Sequence, residues 1–294
     1  MLRWGVIGVG IAGKARVRAL QQDPRATPVW GFRGQPEAVG LPRAPDLGSM
    51  LGACDAVAIC SPDTSHPDLV RAALSSGLHV LVEYPLAGSA EVGRDLFDCA
   101  RRWNRSLHVE HIEVLGPAMA RLRERCQGRD LRLGALRWTG PCRKGTYGVA
   151  HANLSRLHRV VHALGLPSAL RLVERSPRHL RAALQLAGGT LDLDLRHGED
   201  LPRQLHLRLE LKGPGPTVLE LRDRQLFEDG VQVELPAHPG LFLEDQLCAS
   251  ARILDQAPGY VEEARVLDLL ALCDSLVRAS PEGGWAPFPS PPRA

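Results

Sequence analysis

Gly8, Gly10 and Gly13 stand at the spacing G-x-G-x-x-G near the start of the chain. In front of a helix, that spacing suits dinucleotide binding. The first glycine allows a tight turn, the second lets backbone approach a pyrophosphate, and the third lets the helix pack closely. Val9, Ile11 and Ala12 lie between them and offer backbone N–H groups to the phosphates. Arg33 stands where an NAD-preferring site carries an acid for the ribose hydroxyls. An acid repels a 2′-phosphate and an arginine pairs with it, so NADPH is the expected cofactor and NADH the less favoured one.

Further along, ionisable and polar residues recur at the ends of apolar runs. Cys60, Ser61, Pro62 and His66 follow one run, Glu83 and Tyr84 a second, and Glu110, His111 and Glu113 a third. In a doubly wound sheet this is the edge where ribose and nicotinamide lie, so the first two groups are candidate cofactor contacts. Glu83, Tyr84, Glu110 and His111 are candidate acid–base groups. His158 and His162 have the i, i+4 spacing of a metal pair. No adjacent carboxylate motif or Cys/His set completes a coordination shell, so no metal is expected.

The elements that must position these residues read as two patterns. Residues 3–9, 27–33, 55–60, 78–83 and 106–110 read as strands. Helical stretches at 14–22, 67–76 and 89–102 alternate with them, which predicts a parallel sheet covered on both faces. After about residue 130 the period changes to two. Leu184 and Leu186, Leu191 to Leu195, Leu205 to Leu211 and Val231 to Leu235 alternate with polar residues around Gly188-Gly189, Gly213 to Pro216 and Asp229-Gly230. These are strands of an antiparallel sheet with one wet face. A helix over 152–164 is expected before that sheet, and helices over 241–256 and 260–279 after it. The predicted division is therefore 1–115 for the Rossmann domain and 116–280 for the α+β substrate domain with the C-terminal helices. A Pro/Gly-rich tail, 281–294, is expected to be flexible.

The composition is that of a globular enzyme. With 36 basic and 33 acidic residues the net charge is +3, too balanced for a nucleic-acid surface. Seven scattered cysteines form no C-x-x-C pair, which points to a reducing compartment. The first residues run directly into a strand, and no apolar run reaches the roughly 18 residues of a membrane helix. A cytoplasmic protein without a signal peptide or membrane partner is expected.

The Rossmann pattern, Glu83-Tyr84-Pro85 and the following antiparallel sheet together resemble the glucose-fructose oxidoreductase/inositol dehydrogenase family over nearly the whole chain. Sugar-oxidising members carry Lys at the position of Tyr84, and an Asp and a His at positions corresponding to His151 and Ser155. Those departures argue against sugar oxidation. His79 to Pro85, Leu107 to Leu115 and Leu154 to Leu157 are instead similar to the biliverdin-reducing branch.

That resemblance implies NADPH-dependent hydride transfer to the central methine carbon C10 of biliverdin, with protonation of a pyrrole nitrogen. It implies Arg156 as the main catalytic and substrate-binding residue, with Arg159, Tyr84 and His111 also on the substrate. It further implies functional coupling to a heme oxygenase. Two alternatives remain open: another NADP-dependent enzyme of the family acting on a sugar or small carbonyl, and a cofactor-binding regulator without turnover.

Overall fold

The computed structural model describes residues 1–142 and 145–288. The chain forms two compact units, Met1–Ile112 with Pro239–Leu270, and Glu113–His238 with Ala271–Ala294.

The first unit begins with the alternation the sequence predicts: β1 (Leu2–Val9), α1 (Ile11–Gln22), β2 (Ala26–Gly34), α2 (Leu47–Ala53), β3 (Ala56–Ile59), α3 (His66–Ser75), β4 (His79–Val82), α4 (Ala90–Arg102) and β5 (Leu107–Val109). The strands are parallel, in the order β2-β1-β3-β4-β5. Val6, Ile7 and all of β3 are buried, because helices cover both faces of such a sheet. Each fully buried Leu or Ile contributes about 1.5–3 kcal/mol. Ser89 caps α4 by accepting from the Val92 amide at 3.2 Å.

In the second unit, α5 (Pro117–Cys126) leads into β6 (Leu131–Gly140), then α6 (Val149–Ala152) and α7 (Leu154–Leu164). The strands β7 (Ala169–Arg175), β8 (His179–Leu186), β9 (Gly189–His197), β10 (Gln204–Leu211), β11 (Val218–Arg222), β12 (Gln225–Glu228) and β13 (Val231–Gln232) follow. The sheet is mostly antiparallel, with one parallel pair, β6 and β9, near its middle. Thus a central strand precedes the helix over 152–164, although the sequence reading put that helix ahead of the whole sheet. The reading also saw one helix there. Asn153 interrupts it, and its side-chain amide donates to the Val149 carbonyl at 2.9 Å. Asp229 and Gly230 both have positive φ, 49° and 85°, as a two-residue I′ hairpin between β12 and β13 requires.

Two expectations about the C-terminal region are corrected. The helix α8 (Leu241–Leu254) belongs to the first unit, not to the substrate domain, and α9 (Glu263–Arg278) starts there as well. Ala249 of α8 shares one buried cluster with Val17 and Leu20 of α1. The tail was expected to be flexible from residue 281 on. Instead β14 (Ala286–Pro287) pairs with β7, Trp285 stacks on Arg171, and Phe288 is buried. The remaining tail residues, 289–294, lie outside the described residues.

Candidate active site

The glycine turn is built as dinucleotide binding demands. Gly8 has φ +89°, and a Cβ there would lie 2.7 Å from the Cys60 carbonyl oxygen and the Ser61 nitrogen. A Cβ on Gly13 would lie 2.3 Å from the Gly8 oxygen, so α1 packs on the turn without space for a side chain. A Cβ on Gly10 would meet nothing within 4 Å. No side chain caps α1, so the amides of its first turn face that open space. This is a phosphate cradle, and the residues present fit a dinucleotide.

Arg33 is exposed at the end of β2, with φ 61° and its guanidinium 5.4 Å from the centre of the Phe32 ring. Two cations that the sequence reading passed over lie beside it. Lys14 donates to Gln35 at 2.9 Å, and Arg43 donates to the Gly34 carbonyl at 3.1 Å while paired with Glu37. Lys14 is adjacent to the last motif glycine, which was the available signal. Arg43 carried none.

The other predicted cofactor residues separate by role. Cys60 and Ser61 bring their backbone against Gly8, and Pro62 is exposed next to them. His66 is fully buried. Its ring nitrogens face the Pro85 and Ser61 carbonyls at 2.8 and 2.9 Å, so it braces the segments after β3 and β4 and does not reach a ligand. Tyr84 is buried next to the largely buried Glu83.

Behind Glu83 lies a buried ionic network. Arg16 approaches Glu83 at 3.8 Å and Asp245 of α8 at 2.5 Å. His108 and the Tyr260 hydroxyl meet Asp245 at 2.8 and 2.6 Å, and Tyr260 accepts from the His111 amide. Burial pushes Glu83 upward, and Arg16 restrains it. Burial, then the neighbouring Glu83 charge, pushes Glu110 well above the ordinary carboxyl range. One Glu110 oxygen accepts from the Ile112 amide at 2.8 Å and the other is buried without a hydrogen-bond partner among the described residues, so burial favours the protonated form. Burial opposes ionisation of Asp245 as well, but Arg16 and then His108 hold it well below its ordinary value. None of Arg16, Asp245 and Tyr260 was singled out from sequence, because nothing local marks them.

His111 departs from its expected role. Burial, then His108, lowers it to about 3. A neutral imidazole at physiological pH does not serve as the acid that protonates a substrate.

In the second unit, Arg156 is nearly buried. Its guanidinium lies 4.8 Å from the centre of the Trp138 ring and donates to Ser155 at 2.9 Å. Arg159 donates to the Asp223 carbonyl at 3.1 Å and forms an ion pair with Glu113. Although burial opposes it, Arg159 and then Arg156 hold Glu113 below its ordinary value. Arg159 is thus engaged within the fold. His158 and His162 stack edge to face, and among the described residues no group of three metal-binding side chains forms. No helix among the described residues is long and apolar enough to cross a membrane.

Comparison with known proteins agrees with this architecture. A family model described as an oxidoreductase family with an NAD-binding Rossmann fold matches residues 2–111. Biliverdin reductase A of Mus musculus is 31% identical, over 93% of this chain and 94% of its own. Galactose 1-dehydrogenase of Pseudomonas fluorescens is 28% identical, over 68% of this chain and 72% of its own. Among solved structures, biliverdin reductase from Synechocystis sp. PCC 6803, in complex with biliverdin and NADP+, superposes with a TM-score of 0.77 at 23% identity. That match covers 93% of this chain and 98% of the other. Whole-length identity to one member, added to a matched cofactor domain, places the chain among the oxidoreductases of the GFO/IDH/MocA family with an NAD-binding Rossmann fold, to which mouse biliverdin reductase A is a relative.

Proposed function

We propose that the protein reduces biliverdin to bilirubin with NADPH, in the cytoplasm and downstream of a heme oxygenase. The observation that carries this reading is the reach of the likeness. Mouse biliverdin reductase A aligns over 93% of the chain, the sugar enzyme over 68%. Tyr84, where sugar-oxidising members have Lys, supports the same choice.

When bound at the glycine cradle, NADPH supplies the hydride for the C10 methine carbon. The chain's residues do the rest. The open space at Gly10 and the first-turn amides of α1 hold the pyrophosphate, and Arg33 with Lys14 attracts the 2′-phosphate. Burial favours the protonated form of Glu110, Arg16 lies against Glu83, and Tyr84 adjoins Glu83 in sequence. The reading makes this carboxyl pair the proton store for the pyrrole nitrogen, with Tyr84 as the group that orders the substrate. Arg156 keeps its charge and presents a planar donor fork, which suits a propionate or a lactam oxygen.

The test is a spectrum. Purified protein with biliverdin and NADPH is expected to convert the biliverdin absorbance into that of bilirubin, while galactose with NADP+ gives no reduced cofactor. Sugar-dependent reduction of NADP+ without pigment conversion would assign the chain to the sugar-oxidising members. Tight NADPH binding with no turnover on either substrate would make it a regulator.

A further inference from the structure

The parallel sheet has a second edge, away from the glycine cradle, where β5 begins. A cavity of about 340 Å³ opens there between the C-terminal half of α4, the start of β5 and the chain from α8 to α9. Phe97, Leu107 and Pro258 give it an apolar wall. Arg101, Arg105 and Arg252 line it against a single carboxylate, Glu263.

The three arginines are not equivalent. Arg101 is spent on Asp98 and Glu263, each at 2.6 Å. Arg105 donates to the backbone carbonyls of Gly77 and Asn104 at 2.5 and 3.1 Å, so it is fixed in place, and it forms no ion pair among the described residues. Arg252 is half-buried and makes no hydrogen bond or ion pair among the described residues. Burial lowers its pKa, and the more distant attraction of Glu263 does not make up the difference. The backbone leaves room for its head: a Cβ on Gly259 would lie 2.6 Å from the Arg252 Nη1. A half-buried guanidinium that makes no ion pair, beside an apolar wall, is a ready partner for an anion in the cavity.

We propose that this cavity binds a small carboxylate with an apolar body, the carboxylate on Arg252 and Arg105 and the body against Phe97 and Leu107. The volume suits a single-ring compound, and the mixed wall favours an organic anion over a bare one. The site is independent of the function proposed above, since it uses no residue of the cradle or of the Glu83 network.

Titration calorimetry on the full chain tests it with three probes: benzoate, its neutral analogue benzamide, and inorganic phosphate. Saturable benzoate binding is expected, with benzamide and phosphate each weaker by about tenfold or more. Arg252→Gln is expected to weaken benzoate by about tenfold while NADPH affinity stays unchanged. Gly259→Ala, at a half-buried position in the loop between α8 and α9, is a second variant that displaces the guanidinium head; it is expected to weaken benzoate in the same direction. Absence of saturable benzoate binding overturns the proposal, as does benzamide binding equal to benzoate, or unchanged benzoate affinity in Arg252→Gln and Gly259→Ala. Phosphate binding tighter than benzoate overturns the assigned ligand class.

Discussion

Arg16 and Asp245, 229 residues apart in sequence, meet at 2.5 Å with neither side chain exposed. One stands on the helix that follows the glycine turn and the other on α8, so this ion pair, together with the apolar cluster of Ala249, Val17 and Leu20, ties a C-terminal helix to the cofactor-binding helix. Through Arg16 the same pair reaches Glu83.

Breaking that pair from one side leaves a buried charge without its partner. Asp245→Ala is expected to lower the free energy of unfolding by about 3–5 kcal/mol, measured by urea denaturation. Since Asp245 has a depressed pKa in the fold, its stabilisation is present above the ordinary carboxylate range. It is lost as pH falls below that range. Wild-type protein is therefore expected to lose stability on acidification more steeply than Asp245→Ala. Equal pH slopes would show that the pair carries no linkage.

Glu110 has the opposite sign. Its raised pKa means the folded state holds a proton that the unfolded state has already released. Stability from this group is full below the ordinary carboxyl range, near pH 4, and drains away as pH climbs toward the raised value. Glu110→Gln keeps the neutral shape without the titration. The melting temperature of wild type relative to this variant is expected to fall steadily from about pH 5 upward, and a flat difference would show Glu110 to be ionised in the fold.

Gly10→Val is expected to abolish NADPH binding in calorimetry while the melting temperature stays near that of wild type, because its Cβ projects into open space. Gly13→Val is expected to destabilise the fold itself, since the Gly8 carbonyl occupies that position. If Gly10→Val retained NADPH, the turn would be structural only.

Arg33→Ala is expected to raise KM for NADPH by about tenfold, the worth of one charged hydrogen bond, with KM for NADH nearly unchanged. Adding Lys14→Ala is expected to widen the difference. An equal rise for both cofactors would remove the 2′-phosphate from the explanation.

Arg156→Ala is expected to reduce kcat for biliverdin on the order of a hundredfold, with NADPH affinity unaltered. Arg156→Lys is expected to recover only part of the rate, because an ammonium cannot reproduce a planar fork resting on Trp138. A normal kcat with a raised KM would make Arg156 a substrate clamp.

The sequence by itself determined the features that are local. The glycine spacing, the alternation of apolar runs with helical stretches through residue 110, and the period-two leucines of β8 to β10 are each written in a short window, where backbone geometry dictates which side chains must be apolar. The segments around Glu83, Glu110 and Arg156 were legible for the same reason, as short motifs. The tertiary structure alone decided what depends on pairing across the chain. An amphipathic α8 carries no mark of the surface it covers, so its place against α1, and with it the Arg16–Asp245 pair, could not be read. The parallel pairing of β6 with β9 and the docking of β14 on β7 are choices of partner among many similar strands. Burial set the direction of each pKa shift: the same depth that lowers His111 raises Glu110. Burial is a property of the packed fold and not of residue type.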